Sequence, residues 1–349
     1  MLQPRSILHS ELRTAVLDDA DPEALWPGEW EDLATRSAAA TTFVSRPWVS
    51  SWLEVYAAEK PLKAIELRAD GTLVGALWLY RLDDPAYGSR WLTVGSGNSD
   101  RLDPLLDAAF AEPAARALID ALTELSADAP VELQQVSPDS VFARVAANDA
   151  RCSIVQQDTC LVVDLRDVGD ALHLLKKGMR YDLRRSRRLL QEHGGKIREA
   201  APGATDGLID ALVQLHTARW RARGEPGVLA DEASRALHRS VARRMAGKGL
   251  VLRALEINSR IVACVYGFRS NGREMCYLTG FDPAWSWLQP GKLMLADAID
   301  RAIAAGSQCF DMLRGREDYK YRWPVIEEPC IRISIGSNHE EPGRTLDHR

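Results

Sequence analysis

The chain has 349 residues, 46% of them apolar, with a net charge of −5 and six cysteines. This length and apolar share suit two packed domains, and the near balance of charge excludes a general pull toward nucleic acid or anionic lipid. No run reaches the roughly 20 apolar residues of a membrane span, and MLQPRSILHSELRTAV lacks a signal-peptide core; the cysteines show no CxxC or Cys/His spacing and read as core residues of a reduced, cytoplasmic, metal-free protein.

In chain order, the first half predicts a helix over 47–59, strands over 62–68 and 73–80 joined at Asp70-Gly71, and a strand over 90–94. A helix over 112–126, a strand over 131–135 and a helix after Pro138 follow. The second half predicts helices over 171–192, 205–223 and 231–248, then strands over 250–257, 261–269 and 274–281 turned at Asn258-Ser259 and Asn271-Gly272. A helix over 292–305, stopped by Gly306, leads to a strand over 308–313.

LRADGTLVGALWLY (67–80) lies over LEINSRIVACVYGF (255–268) without a gap. Alternation and turn chemistry constrain any two hairpins, so convergence fits; duplication of an α+β unit fits too. Duplication gives an α+β fold of two similar domains, 1–165 and 166–349, each a mixed, mostly antiparallel sheet flanked by helices.

The segment 276–313 reads strand, Trp-rich loop, helix, strand. The start of such a helix presents free N–H groups, so Gln289, Gly291, Lys292 and the backbone of Leu293 form a candidate phosphate or carboxylate site. Pro-Gly is equally ordinary helix-start punctuation. In LKKGMRYDLRRSRRLL (175–190) and just before it, Leu172, Leu175, Met179, Leu183 and Leu190 follow a helical seam, with Arg180, Arg184, Arg187 and Arg188 on a neighbouring face. That face suits CoA phosphates, an anionic acceptor, tRNA or plain solvent. GSGNSD (95–100) is a polar loop in which Asp100 either faces an acceptor or closes an Asx turn. Trp48, Trp52 and His216 read as packing residues. No nucleophile elbow, HExxH, Walker loop or Rossmann fingerprint is present.

The run YLTGFDPAWSWLQPGKLMLADAIDRAIAAGSQCFDMLRGREDYKYRW, with LKKGMRYDLRRSRRLLQEHGG and WLTVGSGNSDRLDPLL, resembles the cellulose-biosynthesis (CelD/BcsL) acetyltransferases, a branch of the GNAT superfamily related to the FemAB peptidyltransferases. The resemblance implies two GNAT-like domains, acetyl-CoA or another acyl-CoA as donor, and a sugar or amine acceptor, often in making envelope or exported polysaccharide. It also implies site residues in the strand-Arg-Gly-x-x-x-Tyr-Lys block. Asp311 would orient or deprotonate the acceptor, with Glu317 in reserve; Tyr319 would protonate the leaving thiolate, and Lys320 would bind an acceptor anion or offset developing charge. Arg314 either binds substrate or ties the loop, while Tyr181 and Arg184 match the related proteins' aromatic-basic pattern. The loop departs from the common Gln/Arg-x-x-Gly-x-Gly/Ala pattern, since Gln289-Pro290-Gly291-Lys292 has one glycine and a proline without an N–H. An acyl-CoA-dependent N- or O-acyltransferase is the leading expectation. A FemAB-like aminoacyl-tRNA-dependent transferase and a non-catalytic glycan-binding protein are the alternatives.

Overall fold

The computed structural model describes residues 11–336 except Tyr87, Pro202 and Arg223. The start of the N-terminal run read for a signal core, the final residue of the expected helix 205–223 and the tail after 336 lie outside the described residues. The chain runs β1 (Leu12–Asp18), α1 (Glu29–Arg36), α2 (Arg46–Tyr56), β2 (Leu62–Ala69), β3 (Thr72–Asp84), β4 (Gly88–Thr93), β5 (Leu105–Leu106), α3 (Ala111–Leu125), β6 (Val131–Val136), α4 (Val141–Ala146) and β7 (Cys152–Asp164). It continues α5 (Lys177–Glu192), β8 (Lys196–Glu199), α6 (Thr205–Arg221), α7 (Glu232–Met245), β9 (Leu250–Ile257), β10 (Arg260–Ser270), β11 (Arg273–Phe281), α8 (Pro290–Ala304), β12 (Cys309–Arg314) and β13 (Val325–Ile335). No described helix is long and apolar enough to cross a membrane.

Two units form, one from residues 11–157 with 329–336 and the other from 158–328. The expected single cut at 165/166 therefore differs from the structure. The division falls inside β7, and the later part of β13 pairs antiparallel with β6, so the last strand completes the first unit's sheet.

The first unit's sheet runs β1-β2-β3-β4-β6-β13, with β5 on β3. Alternation in β3 assigns its two faces. Leu77 and Leu79 join a core with Leu118 and Leu122 of α3 and Phe142 of α4. Trp78 stacks on Trp30 of α1 at 5.7 Å, and Tyr80 meets Trp52 of α2 at 4.7 Å.

The second unit's sheet runs β7-β12-β11-β10-β9-β8. Leu255 and Ile257 of β9 pack with Leu295 and Ile299 of α8 and with Leu183 and Leu190 of α5. On that face Arg253 Nε reaches Asp297 of α8 at 2.7 Å, so the buried guanidinium keeps its partner. The opposite face carries Tyr266 of β10 against His238 of α7, with ring centroids 5.5 Å apart.

The hairpin match in the sequence carries into the pairing register. Leu67 lies opposite Gly75 and Arg68 opposite Leu73, leaving Val74 as a bulge; Leu255 lies opposite Ala263 and Glu256 opposite Ile261, leaving Val262. Every aligned position pairs with its aligned partner, from Leu62↔Tyr80 and Leu250↔Phe268 to Ala69↔Thr72 and Ile257↔Arg260. A second irregularity also repeats. Between Leu133 and Val136 of β6, and between Asp311 and Arg314 of β12, three steps oppose two on the neighbouring strand. Each bulge contains a left-handed residue, Gln135 at φ 55° and Leu313 at φ 58°. Alternation alone does not copy a bulge, so duplication accounts for both observations.

Candidate active site

The site arises where β11 and β12 part. These parallel strands pair only at Arg273↔Cys309, Glu274↔Phe310 and Met275↔Asp311. β11 then runs on to Phe281, paired there with β10. A cavity of about 340 Å³ opens beside that stretch, with Thr279 and Phe281 on one wall and Gln289, Gly291, Lys292 and Leu295 of the α8 start on another. Met179 and Asp182 of α5, Arg219 of α6, and Tyr319, Arg322 and Trp323 beyond β12 complete the enclosure.

Local geometry sets what the helix start offers. Gln289 adopts φ 55°, and its carbonyl accepts from the N–H of Lys292 at 3.0 Å and of Leu293 at 3.2 Å. Leu293 is therefore corrected as a donor: its amide is consumed and its side chain lies in the core at 2% exposure. Pro290 has no N–H, which leaves the Gly291 amide as the donor of the first turn toward the cavity. A Cβ placed on Gly291 would meet only the Phe281 ring, at 3.8 Å, so the approach there is open. The Lys292 Nζ lies 3.4 Å from Asp182 Oδ2.

Arg219 donates to Thr279 Oγ1 at 3.2 Å, and its guanidinium carbon sits 5.0 Å from the Phe281 ring centroid. Three cations (Arg219, Lys292, Arg322) and one carboxylate (Asp182) thus line the cavity. This charge suits an anionic ligand.

The block after β12 is organised differently from its sequence reading. Asp311 is fully buried; Oδ2 pairs with Arg273 Nη1 at 2.8 Å and Oδ1 accepts the Leu313 N–H at 2.8 Å. It is corrected from acceptor base to brace, because both its oxygens are engaged and it is not among the residues that line the cavity. Lys320 is 3% exposed, and its ammonium donates to the carbonyls of Leu313, Arg314 and Gly315 at 3.4, 2.7 and 3.2 Å. Glu317 lies 2.9 Å from the same ammonium. All three N–H groups of Lys320 are used, so it too is corrected from charge stabiliser to brace, and Glu317 to its counter-ion. Leu313 at φ 58° is the strained residue these braces hold, and Gly315 takes φ 104° without a Cβ penalty. Arg314, 7% exposed with Nη1 3.4 Å from Asp158, ties the loop rather than lining the cavity. The product of all this is Tyr319, placed in the wall.

Outside the cavity lie the remaining candidates. Tyr181 is 67% exposed and Arg184 is exposed, both on the outer face of α5. Asp100 is in the first unit and fully buried, in a loop held by Trp48 Nε1 donating to Ser99 Oγ at 2.9 Å and Trp52 Nε1 donating to Asn98 Oδ1 at 3.0 Å. Of the expected set, Gln289, Gly291, Lys292 and Tyr319 come together. Asp182, Arg219, Thr279 and Phe281 were missed, although Asp182 shares the helical seam of Met179 and Leu183 and that spacing signalled its inward side.

Residues 177–321 match the family model described as an acetyltransferase (GNAT) domain. The second unit therefore carries an acyltransferase domain of GNAT type. The solved structure of FemX is similar at TM-score 0.69 and 8% identity, over 91% of this chain and 96% of that one. A tandem GNAT protein from the clavulanic acid biosynthesis pathway is similar at TM-score 0.51 and 14% identity, over 95% and 100%. L-PGS from Bacillus licheniformis is similar at TM-score 0.57 and 12% identity, over 89% and 92%. These likenesses show the tandem GNAT-like fold. A search of curated protein sequences finds no match.

Proposed function

We propose that the second unit transfers an acyl group from an acyl-CoA to an amine or hydroxyl by direct attack, with the donor in the cavity beside β11. The observation that carries this reading is the parting of β11 from β12 over a cation-lined cavity at the start of α8. Lys292, the Gly291 amide and the two arginines suit the donor's phosphates, and the apolar wall of Phe281, Leu295 and Met179 suits its uncharged arm. The attacking nitrogen or oxygen forms the new bond to the carbonyl carbon, the C–S bond breaks, and the Tyr319 phenol protonates the departing thiolate. The proton lost by the acceptor leaves through water and restores the phenol. A free alkyl amine has a pKa of about 10, so the acceptor's own deprotonation limits the rate near neutral pH.

The resemblance to polysaccharide-forming acetyltransferases supports a sugar of an envelope or polysaccharide precursor as the acceptor, and an acyl-CoA donor supports a cytoplasmic setting. A second reading, transfer from aminoacyl-tRNA, is favoured by one observation: Lys177, Arg184, Arg185 and Arg188 lie exposed on one face of α5. Purified protein incubated with a panel of acyl-CoAs and amino-sugar acceptors separates the two. Thiol release with acceptor-dependent turnover supports the first reading. Turnover seen only with charged tRNA, with no acyl-CoA raising the thermal midpoint at saturation, overturns it.

A further inference from the structure

Lys292 stands in the first turn of α8 and Asp182 on α5, with Nζ and Oδ2 3.4 Å apart at the cavity wall. The lysine side chain is 12% exposed and the aspartate 45%, so the carboxylate is the partner with room to turn away. Facing the pair are Arg219, Arg322, Tyr319 and Gln289, and no second carboxylate lines the cavity among the described residues. A wall built only to attract phosphate gains nothing from a carboxylate beside its lysine, because like charges at this range oppose each other. The helix start makes the choice sharper, since Pro290 has no N–H and the amides of Lys292 and Leu293 are consumed, so beside the Gly291 amide it offers the lysine.

We infer that Asp182 is a specificity-determining internal anion: it occupies Lys292 in the free protein and yields it to the donor's phosphate. Donor binding then exchanges one ion pair for another, which weakens the grip on the anionic tail and returns Lys292 to Asp182 when the product thiol leaves. The inference rests on the acyl-CoA reading above and adds a residue that sets how tightly that donor is held.

The test is calorimetric titration of wild type, Asp182→Asn, Lys292→Met and the double variant with two donors, acetyl-CoA and the uncharged acetyl-pantetheine. Circular dichroism and thermal midpoints of the free proteins establish that each variant folds. Asp182→Asn should bind acetyl-CoA roughly 5- to 10-fold more tightly and acetyl-pantetheine unchanged, as expected for removal of one nearby like charge. In the Lys292→Met background the same change should lose most of its effect on acetyl-CoA. Acetyl-CoA affinity that is unchanged or weaker in Asp182→Asn overturns the inference, as does an equal shift for both donors. Absence of acetyl-CoA binding in wild type and all variants overturns the donor reading itself, and the inference with it.

Discussion

The starts of α3 and α8 open two helices at corresponding places in two copies of one topology, and they present opposite chemistry. The first turn of α3 carries Glu112, whereas the first turn of α8 has no acidic residue and carries Lys292. A negative side chain satisfies a helix N-terminus from within the chain; a basic one leaves its field for a ligand. The strands before them differ in the same sense. β4 pairs in parallel with β6 at Trp91↔Val131 and Leu92↔Glu132 and ends at Thr93, after which a buried loop follows, held by the indoles of Trp48 and Trp52. β11 instead continues to Phe281 beside a cavity. Shared register and bulges show that the scaffold was copied, while the buried loop after β4 and the basic helix start beside the cavity are where the two copies part, which is why the proposed donor site is assigned to the second.

Perturbing the filled copy should cost most. Trp48 is fully buried and makes a 2.9 Å hydrogen bond to Ser99, so Trp48→Ala should lower stability by about 3–5 kcal/mol, read from urea unfolding midpoints. Acetyl-CoA affinity of the protein that remains folded should not change, and a loss there would break the assignment of binding to the second unit.

In the second unit, Lys320→Met strips three carbonyls and Glu317 of their shared donor and should cost about 2–4 kcal/mol. Turnover should fall with it, because the loop that holds Tyr319 loosens. Tyr319→Phe should separate these effects: stability within about 0.5 kcal/mol of wild type, and turnover down about 100-fold with donor affinity retained. Full turnover in Tyr319→Phe would remove the phenol from the mechanism.

Acid should act on the units in opposite directions. Burial lowers the His216 pKa from 6.5 to about 4, so below pH 6.5 the unfolded chain takes up a proton that the folded second unit refuses. That contribution to stability is lost as pH falls from 6.5 toward 4. Burial raises the Asp103 carboxyl in the first unit from 3.8 to about 6, so its contribution is greatest below 3.8 and is lost as pH rises toward 6. His216→Phe should flatten the acid loss and Asp103→Asn the opposing trend, by up to about 2–3 kcal/mol each, in unfolding curves collected between pH 4 and 7.

The hairpins were legible because alternation and the Asp-Gly and Asn-Ser turns leave one register that buries the apolar face; the strand over 250–257 matches β9 to the residue. β8, LysIleArgGlu, carries no such alternation of core residues and was not predicted. α5 begins at Lys177 rather than 171: residues 171–175 form a separate turn, opened by Asp170 accepting the His173 N–H at 3.1 Å, before the helix starts. The start of α8 could be read from Pro-Gly punctuation, and the block around Tyr319 stood out by its run of titratable side chains. The roles inside that block could not. Asp311 and Lys320 have the side chains of catalytic groups, and only their burial and saturated hydrogen bonds show that they brace Leu313 and Gly315. Asp182 and Arg219 enter the cavity from helices distant in sequence, a juxtaposition that local patterns do not encode.

The central claim is that a single donor site lies at the start of α8. Calorimetric titration of acetyl-CoA into wild type and Lys292→Glu tests it directly. The account predicts one site per chain, weakened at least about 10-fold by the charge reversal while the free variant keeps its fold. Equal affinity in the two proteins, or two sites per chain, would contradict it.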